Sequence, residues 1–155
     1  MTQRTRSAYK GVAAGWCVAI PCGEGRRGVG VVARTDVNNL VLLFVFAREP
    51  SEMNGAELRP TDAATVVITG KRPVFLWESL GKIDSFNAAI WRIPLFSLVN
   101  GRAGRVGETD LSSPVAQYEV SEEVWKLLPP LGICNGAAVE RKCSEAWVRK
   151  RLISL

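Results

Sequence analysis

Two apolar, β-branched segments separated by a short glycine-rich run lie near the start of the chain. Residues 16–21 read Trp-Cys-Val-Ala-Ile-Pro, residues 23–27 read Gly-Glu-Gly-Arg-Arg, and residues 28–34 read Gly-Val-Gly-Val-Val-Ala-Arg. Valine and isoleucine favour the pleated strand, glycine takes positive φ in tight turns, and Pro21 ends a strand because it has no N–H to donate. The pattern predicts a β-hairpin over residues 15–32, around which the rest of the chain is organised.

A third strand is predicted for residues 40–47, Leu-Val-Leu-Leu-Phe-Val-Phe-Ala, after a turn at residues 36–39. This run has no polar face, which predicts a central strand that is covered on both sides. Gly30 marks either a bulge or a close approach of backbones. Three consecutive strands with such glycines favour a small, strongly bent antiparallel sheet or an SH3-like barrel.

The pattern is less regular after this strand. Residues 49–62 are predicted to form a loop rich in acidic residues, which are Glu49, Glu52, Glu57 and Asp62. Residues 63–69 predict a strand, with a short helix capped by Asp62 as the alternative. Apolar segments with aromatic residues also predict strands at 74–78 and 88–95, and a late strand at 117–120. Glycine and serine residues between 100 and 114 predict a mobile surface loop.

Two short helices are predicted towards the C-terminus. Ser121 precedes two glutamates and an apolar stripe at helical spacing, which is typical of a capped helix. Ser144 can cap a second helix, whose last turns are rich in arginine and lysine, as the helix dipole favours. Residues 137–142 fit either a strand or an earlier part of this helix. The fold class predicted from these elements is α+β, with a β-rich body and two short C-terminal helices.

Composition and charge narrow the classes of function. A chain of 155 residues, 47% hydrophobic and 23% charged, is typical of one soluble domain. We expect a disordered basic tail over residues 1–10 and a single domain over residues 11–155. The net charge of +5 comes from the two ends, because residues 1–10 carry +3, residues 141–155 carry +4 and the residues between them carry −2. Nucleic-acid binding requires basic residues gathered on one folded face, so it is the alternative rather than the first hypothesis.

The absence of histidine excludes several mechanisms. Ser-His-Asp and Cys-His catalysis and histidine-ligated zinc each require an imidazole, and the chain has none. The cysteines Cys17, Cys22, Cys134 and Cys143 lack the spacing of zinc knuckles, and we expect buried thiols rather than a metal site or disulfides. We therefore expect no enzyme activity, no metal or other cofactor and no small-molecule substrate.

The N-terminal region imitates a secretion signal only superficially. Basic residues precede an apolar stretch, but Gly11, Gly15 and Trp16 dilute that stretch, and Pro21 stands where a small residue would be cleaved. The longest apolar run is residues 40–47, which is far short of a membrane span. We expect a cytoplasmic protein without a membrane partner.

The turn of the predicted hairpin is the clearest candidate for partner contact. Phosphate-binding glycine loops lead from a strand into a helix whose amides hold the anion, whereas here a strand follows the loop. A plain hairpin turn is therefore the favoured interpretation. Its charged residues, Glu24, Arg26 and Arg27, are left free to meet a partner.

A family resemblance rests on the same stretch. Residues 15–22, Gly-Trp-Cys-Val-Ala-Ile-Pro-Cys, and 25–32, Gly-Arg-Arg-Gly-Val-Gly-Val-Val, resemble the opening hairpin of the bacterial polymorphic-toxin immunity proteins called immunity protein twenty-six. Residues 89–95, Ala-Ile-Trp-Arg-Ile-Pro-Leu, resemble that family's tryptophan-bearing strand. Trp16, Arg27 and Val29 depart from the family pattern. The resemblance covers about residues 11–100, and its motif is structural.

The resemblance implies that the protein binds and neutralises the C-terminal domain of a cognate toxin by stoichiometric protein–protein interaction in the cytoplasm. Such an inhibitor needs a stable body and a complementary surface rather than catalytic residues. A nuclease toxin is expected to face an acidic inhibitor, so either the acidic region at residues 49–62 makes the contact or the toxin is not a nuclease. The alternative is a small β-barrel that binds nucleic acid. The candidate contact residues are Glu24, Arg26, Arg27, Glu49, Glu52, Glu57 and Asp62.

Overall fold

The computed structural model describes residues 11–52, 58–84 and 86–153, and within them the chain has the predicted α+β class. The strands are β1 (Trp16–Pro21), β2 (Arg27–Thr35), β3 (Leu40–Phe46), β4 (Thr65–Gly70), β5 (Glu78–Lys82), β6 (Phe96–Ser97), β7 (Ala103–Val106), β8 (Pro114–Tyr118) and β9 (Ile133–Cys134). The helices are α1 (Lys71–Leu76), α2 (Glu122–Leu127) and α3 (Gly136–Ile153), and single 3₁₀ turns span Pro50–Glu52 and Pro60–Asp62. The expected basic tail at residues 1–10 lies outside the described residues.

The larger sheet has six strands in the order β5-β1-β2-β3-β4-β9. Every neighbouring pair is antiparallel except β4 and β9, which run parallel, with Ile68 opposite Ile133. Within the described residues this sheet does not close into a barrel, because the outer side of β4 is taken by β9 instead of returning to β5. The predicted β-rich sheet is therefore present, but the parallel β4–β9 pair makes it mixed rather than antiparallel throughout.

The first hairpin forms as predicted, with β1 at the predicted residues and β2 one residue longer at each end. The N–H of Cys22 donates to the carbonyl of Arg26 at 2.9 Å, and Glu24 takes a φ of 55° at the turn. A Cβ atom at Gly30 would lie 3.0 Å from side-chain atoms of Val18 and Ile20. Gly30 therefore marks a close approach, and the bulge of β2 lies further on, between Val32 and Arg34.

Strand β3 is central and buried along its whole length, as its unbroken apolar run predicts. Successive side chains of a strand point to opposite faces. Leu42 and Phe44 therefore join one core cluster while Leu43 and Val45 join the other. Both faces of the sheet must be covered by other elements.

The two faces of the large sheet are covered by different elements. One face packs against a three-stranded sheet in the order β6-β7-β8 and against Trp91, whose ring lies edge-on to Phe44 at a centroid distance of 5.1 Å. The other face packs against Val74 of α1 and against Val139 and Cys143 of α3. The large sheet thus lies between a small sheet and two helices.

Residues 63–69 form a strand, β4, rather than the alternative helix, since the preceding 3₁₀ turn ends at Asp62. Residues 74–78 were predicted to be a strand, and that prediction is wrong. They lie mostly in α1, where Pro73 occupies the first turn and its missing N–H leaves no intrahelical bond unmade. Only Val74 of this segment is fully buried, and β5 follows at Glu78–Lys82.

Residues 88–95 form turns instead of the predicted strand. The side chain of Asn87 accepts a hydrogen bond from the N–H of Ala89 at 3.0 Å, and its carbonyl accepts from Trp91. An asparagine that bonds its own following backbone favours a turn over a strand ladder. The strand of this region, β6, begins only after Pro94.

Residues 100–114 were predicted to be a mobile loop, and this too needs correction. They contain β7, and Leu111 is completely buried. The carboxylate of Asp36 accepts a hydrogen bond from the N–H of Leu111 at 2.8 Å, which ties the segment to the β2–β3 turn. The late strand expected at residues 117–120 is present as β8, but it begins earlier, at Pro114.

Helix α2 has the predicted cap, with the Ser121 hydroxyl accepting from the N–H of Val124 at 3.2 Å. The second helix is much longer than predicted. Asn135 rather than Ser144 caps α3, because its side-chain oxygen accepts from the N–H of Ala138 at 2.8 Å. Residues 137–142 are therefore helical, and α3 is an 18-residue helix rather than a short one.

Candidate partner-binding surface

Three segments that are distant in sequence meet beside the β1–β2 turn. The indole N–H of Trp147 on α3 donates to the carbonyl of Arg27 at 3.1 Å. The ammonium group of Lys150, one turn later, donates to the carbonyl of Ala47 in the loop after β3 at 2.8 Å. We call the surface formed by the β1–β2 turn, residues 47–52, Asp62 and the end of α3 the tip surface.

Gly28 allows these segments to come together. A Cβ atom at this position would overlap the sulfur of Cys143 on α3 and lie 2.9 Å from the carbonyl oxygen of Phe46. Only glycine leaves that space free. The glycine of the family-like motif therefore has a packing role, which sets the distance between the helix and the hairpin.

Arg27 links the hairpin to the acidic side of the tip surface. Its guanidinium lies 2.7 Å from Oε2 of Glu78 on β5 and 3.9 Å from Oε1 of Glu49. All three side chains are substantially exposed to solvent, so each pair contributes at most about 1 kcal/mol to stability. The two carboxylates exceed the charge of the one arginine, which leaves this side of the surface acidic.

Trp147 separates this acidic side from a basic one. The guanidinium of Arg26 lies 5.5 Å from the centre of the Trp147 ring, and the ammonium group of Lys150 lies 4.9 Å from it. Both distances are within the range of cation–π attraction. The ring therefore contacts one cation from the hairpin and one from α3.

A cleft adjoins these cations. One part of it, about 530 Å³ in volume, is lined by the charged residues Arg48, Asp62, Arg149 and Lys150 around the small side chains of Ala64 and Ala146. A smaller part is lined by Arg26, Trp147, Lys150 and Arg151. Because Lys150 lines both parts, we treat them as one feature and call it the basic cleft.

The candidates chosen from the sequence are distributed over both sides. Glu24 is exposed at the turn, and Arg26 and Arg27 lie beside α3 and the acidic side respectively. The N–H of Glu52 donates to the carbonyl of Glu49, which places it in the same loop. These five side chains are brought to one end of the molecule.

The acidic region at residues 49–62 does not form one acidic patch in the described part of the chain. Glu49 pairs with Arg27, whereas Asp62 lines the basic cleft with Arg48 and Arg149. Glu57 lies outside the described residues. The acidic contact surface expected for this region is thus divided between the two sides of the tip surface.

Sequence reasoning missed the basic half of the site. Arg149, Lys150 and Arg151 were interpreted as the basic end of a short helix, which complements its dipole, and Arg48 was not considered as a contact residue. The available signal was helical spacing. Cys143, Trp147 and Lys150 are four and three residues apart on α3, so the buried cysteine places the other two on the side of the helix that faces the hairpin.

The thiols lie mostly in the core. Cys17, Cys22 and Cys143 are buried, Cys134 is half-buried, and all are free thiols. Burial raises the pKa of Cys17 to about 11. A hydrogen bond between Cys22 and Cys143 lowers the pKa of Cys22 and, together with burial, raises the pKa of Cys143. Both sulfurs lie in the core, since Cys22 is 5% exposed and Cys143 is 0% exposed.

Two further properties of the described residues bear on the kind of site. They contain no group of three or more histidine, cysteine, aspartate or glutamate side chains placed to hold a metal ion. None of their helices combines the length and the apolar character that crossing a membrane requires.

Arg34, Arg92 and Arg105 line a second cavity, of about 730 Å³, near β7, and Arg34 is already engaged. Arg34 donates to the carbonyls of Ala88, Trp91 and Ala33 and pairs with Glu108 at 2.5 Å. Its side chain is only 12% exposed. This arginine holds the turns at residues 88–95 against the sheet rather than offering its donors to a ligand.

No protein-family model, curated protein or solved structure matches this chain significantly.

Proposed function

We propose that this protein is an immunity protein, which binds a bacterial toxin domain stoichiometrically in the cytoplasm and neutralises it. The observation that carries the proposal is the convergence of charged side chains from three distant segments on the tip surface. Binding proteins use such accessible, mixed-charge surfaces to steer a partner and fix its register. The partner is proposed to be a toxin domain because the β1–β2 hairpin resembles that of polymorphic-toxin immunity proteins.

The arrangement of charges suits binding better than catalysis. Acid–base catalysis requires a carboxyl group that is positioned to exchange a proton with substrate. On the acidic side, Glu49 and Glu78 both pair with the guanidinium of Arg27. Neither Ser nor Cys has a neighbouring histidine base, because the chain contains no histidine. Binding to a partner's surface requires only that these side chains are charged and accessible.

We also propose that the core of the large sheet is SH3-like. Strand β1 pairs with β2 and also with β5, so the fifth strand returns to the first, and the short helix α1 lies between β4 and β5. This order supports an opened SH3-like core to which β9 and the small sheet have been added. Small barrels of this kind leave their loops and turns available for partners.

Nucleic-acid binding remains the second candidate because of the basic cleft. Arg26, Arg48, Arg149 and Arg151 are gathered on one folded face, which the separate charges at the two ends of the sequence did not suggest. Phosphate binding of this kind weakens steeply as salt is raised. The measurement that favours this candidate is tight RNA or DNA binding with a steep salt dependence and no polypeptide partner.

The test of the proposed function uses the gene directly upstream in the native host. The C-terminal domain of its product is co-expressed with this protein, and we expect a one-to-one complex in size-exclusion chromatography with light scattering. Expression of that domain alone should stop growth, and co-expression should restore it. A domain that stays monomeric beside this protein, or growth that is not restored, contradicts the proposal.

A further inference from the structure

We infer that the basic cleft binds the carboxylate side chains of an acidic polypeptide segment, so that the toxin surface it meets is acidic. This inference deepens the proposed function and rests on it for the identity of the partner. Of the two alternatives that the sequence left open, a contact through the acidic region at residues 49–62 or a toxin that is not a nuclease, it favours the second.

The charge of the cleft is the first step. Five basic side chains line its two parts, against the single acidic side chain of Asp62. The groove that continues from it past Arg149 adds Lys142, Lys126 and Glu145, which keeps the excess positive. A cleft lined by one sign of charge concentrates the potential and attracts ligands of the opposite sign.

The shape of the cleft is the second step. Ala64 and Ala146 line the cleft together with Arg48 and Arg149, and their small side chains leave space beside the charged side chains that form its walls. A volume of about 530 Å³ accommodates several side chains of a peptide segment. Arginine binds carboxylates through paired donors, and the two parts of the cleft provide separate positions for them.

The state of Trp147 favours a polypeptide over a nucleic acid. Proteins that bind single strands offer aromatic rings on which bases stack. Here Arg26 and Lys150 both lie over the ring of Trp147, so the ring is engaged by the protein's own cations. Asp62 repels phosphate groups but accepts hydrogen bonds from a peptide N–H or lysine. An acidic peptide segment provides carboxylates for the basic side chains of the cleft and backbone N–H groups for Asp62.

The decisive experiment measures the affinity of charge-reversal variants for the domain encoded upstream. Arg149→Glu lies in the cleft, whereas Arg141→Glu makes the same charge change at an exposed position of the same helix outside it. We expect the first variant to weaken binding at least about tenfold and the second to change it less than about threefold. Equal effects of the two variants would overturn the inference and leave the proposed function standing.

A neutral variant separates the cleft itself from general electrostatics. Ala64→Phe fills the space between the charged walls without changing any charge, and Ala64 is exposed, so the fold should survive. We expect it to weaken the complex as much as Arg149→Glu, with unchanged thermal unfolding. Full binding by a folded Ala64→Phe protein would show that the cleft is not the contact.

The inference stays testable if the upstream domain does not bind and the proposed function fails. A short poly-glutamate peptide and an oligothymidylate of the same charge then replace it, with NMR shifts of the Trp147 indole as the readout. We expect the peptide to bind the wild type, to lose binding in Arg149→Glu, and to outcompete the oligonucleotide at equal ionic strength. Tighter binding of the oligonucleotide, or no binding of the peptide, overturns the inference.

Discussion

Gly28 on β2 and Cys143 on α3 approach so closely that any side chain at residue 28 would displace the sulfur. This contact sets how near α3 lies to the hairpin. Because α3 also carries Trp147, Arg149 and Lys150, the same contact determines where the basic cleft stands relative to the β1–β2 turn. Close packing at Gly28 therefore helps to determine the position of the basic cleft.

Gly28→Ala should destabilise the fold by about 1–3 kcal/mol, the usual cost of overpacking a core. The methyl group meets the sulfur of Cys143, which can shift, and the carbonyl of Phe46, which cannot. Equilibrium urea unfolding measures the change, and adding Cys143→Ala should recover part of it. Gly132→Ala, where no atom lies within 4 Å, is the matched control. Equal stabilities of the two alanine variants would refute this role for Gly28.

Asp36→Asn should lower the free energy of unfolding by about 1–3 kcal/mol, because a buried acceptor is replaced by a donor. The carboxylate accepts hydrogen bonds from the N–H groups of Asn38, Leu40 and Leu111 at 2.8–2.9 Å, and an amide has only one oxygen to offer. Hydrogen exchange at Leu111 should accelerate more than exchange in β3. Asp84→Asn, at an exposed carboxylate, serves as the control; exchange at Leu111 that is unchanged in Asp36→Asn would contradict the proposed tie.

Arg34→Lys should cost about 1–3 kcal/mol despite conserving the charge. The planar guanidinium reaches the carbonyls of Ala88 and Trp91 and the carboxylate of Glu108 at once, and a single ammonium group cannot. Thermal unfolding compared with Arg102→Lys, an exposed arginine in the β6–β7 turn, isolates this effect. If both substitutions lower the melting temperature equally, the guanidinium geometry is not what holds this region.

The parts of the fold that could be predicted are those with an unambiguous local signal. Strand β3 is a seven-residue apolar run flanked by polar turns, and only a strand covered on both faces accommodates it. The serine cap of α2 is equally local. The β1–β2 hairpin was predictable because its glycines and its β-branched strands agree with each other.

The wrong strand predictions lie in segments whose structure depends on contacts with residues that are distant in sequence. Residues 74–78 and 88–95 have the composition of strands, yet Val74 is buried by packing against α3, and Trp91 by the rings of Phe44, Phe46 and Phe86. Short apolar segments that are buried by tertiary contacts look alike whatever their backbone. The burial of Leu111 likewise involves a contact with Asp36, which lies far away in sequence.

The candidate site was predictable on one side only. The turn residues Arg26 and Arg27 could be identified because a charged hairpin tip is recognisable locally. Arg149 and Lys150 could not, since a basic last turn is what any helix dipole favours. Their importance depends on the Gly28 contact, which brings the end of α3 beside the hairpin and which no local pattern reveals.

The pH dependence of stability should change when Cys17 is replaced by alanine. This thiol is 1% exposed, and burial raises its pKa from 9.0 to about 11. The folded protein therefore holds the proton more tightly than the unfolded chain. The resulting stabilisation is fully present below pH 9 and is lost as the pH rises through about 11.

Urea unfolding of the wild type across this pH window should accordingly show a decline, of which Cys17 supplies about 2–3 kcal/mol. Cys17→Ala removes this contribution, so its unfolding free energy should fall less steeply over the same window, whatever its constant difference from the wild type. Comparing the two slopes cancels the lysine and tyrosine titrations that both proteins share. Parallel curves would mean that Cys17 is ionised as easily in the folded protein as in the unfolded chain.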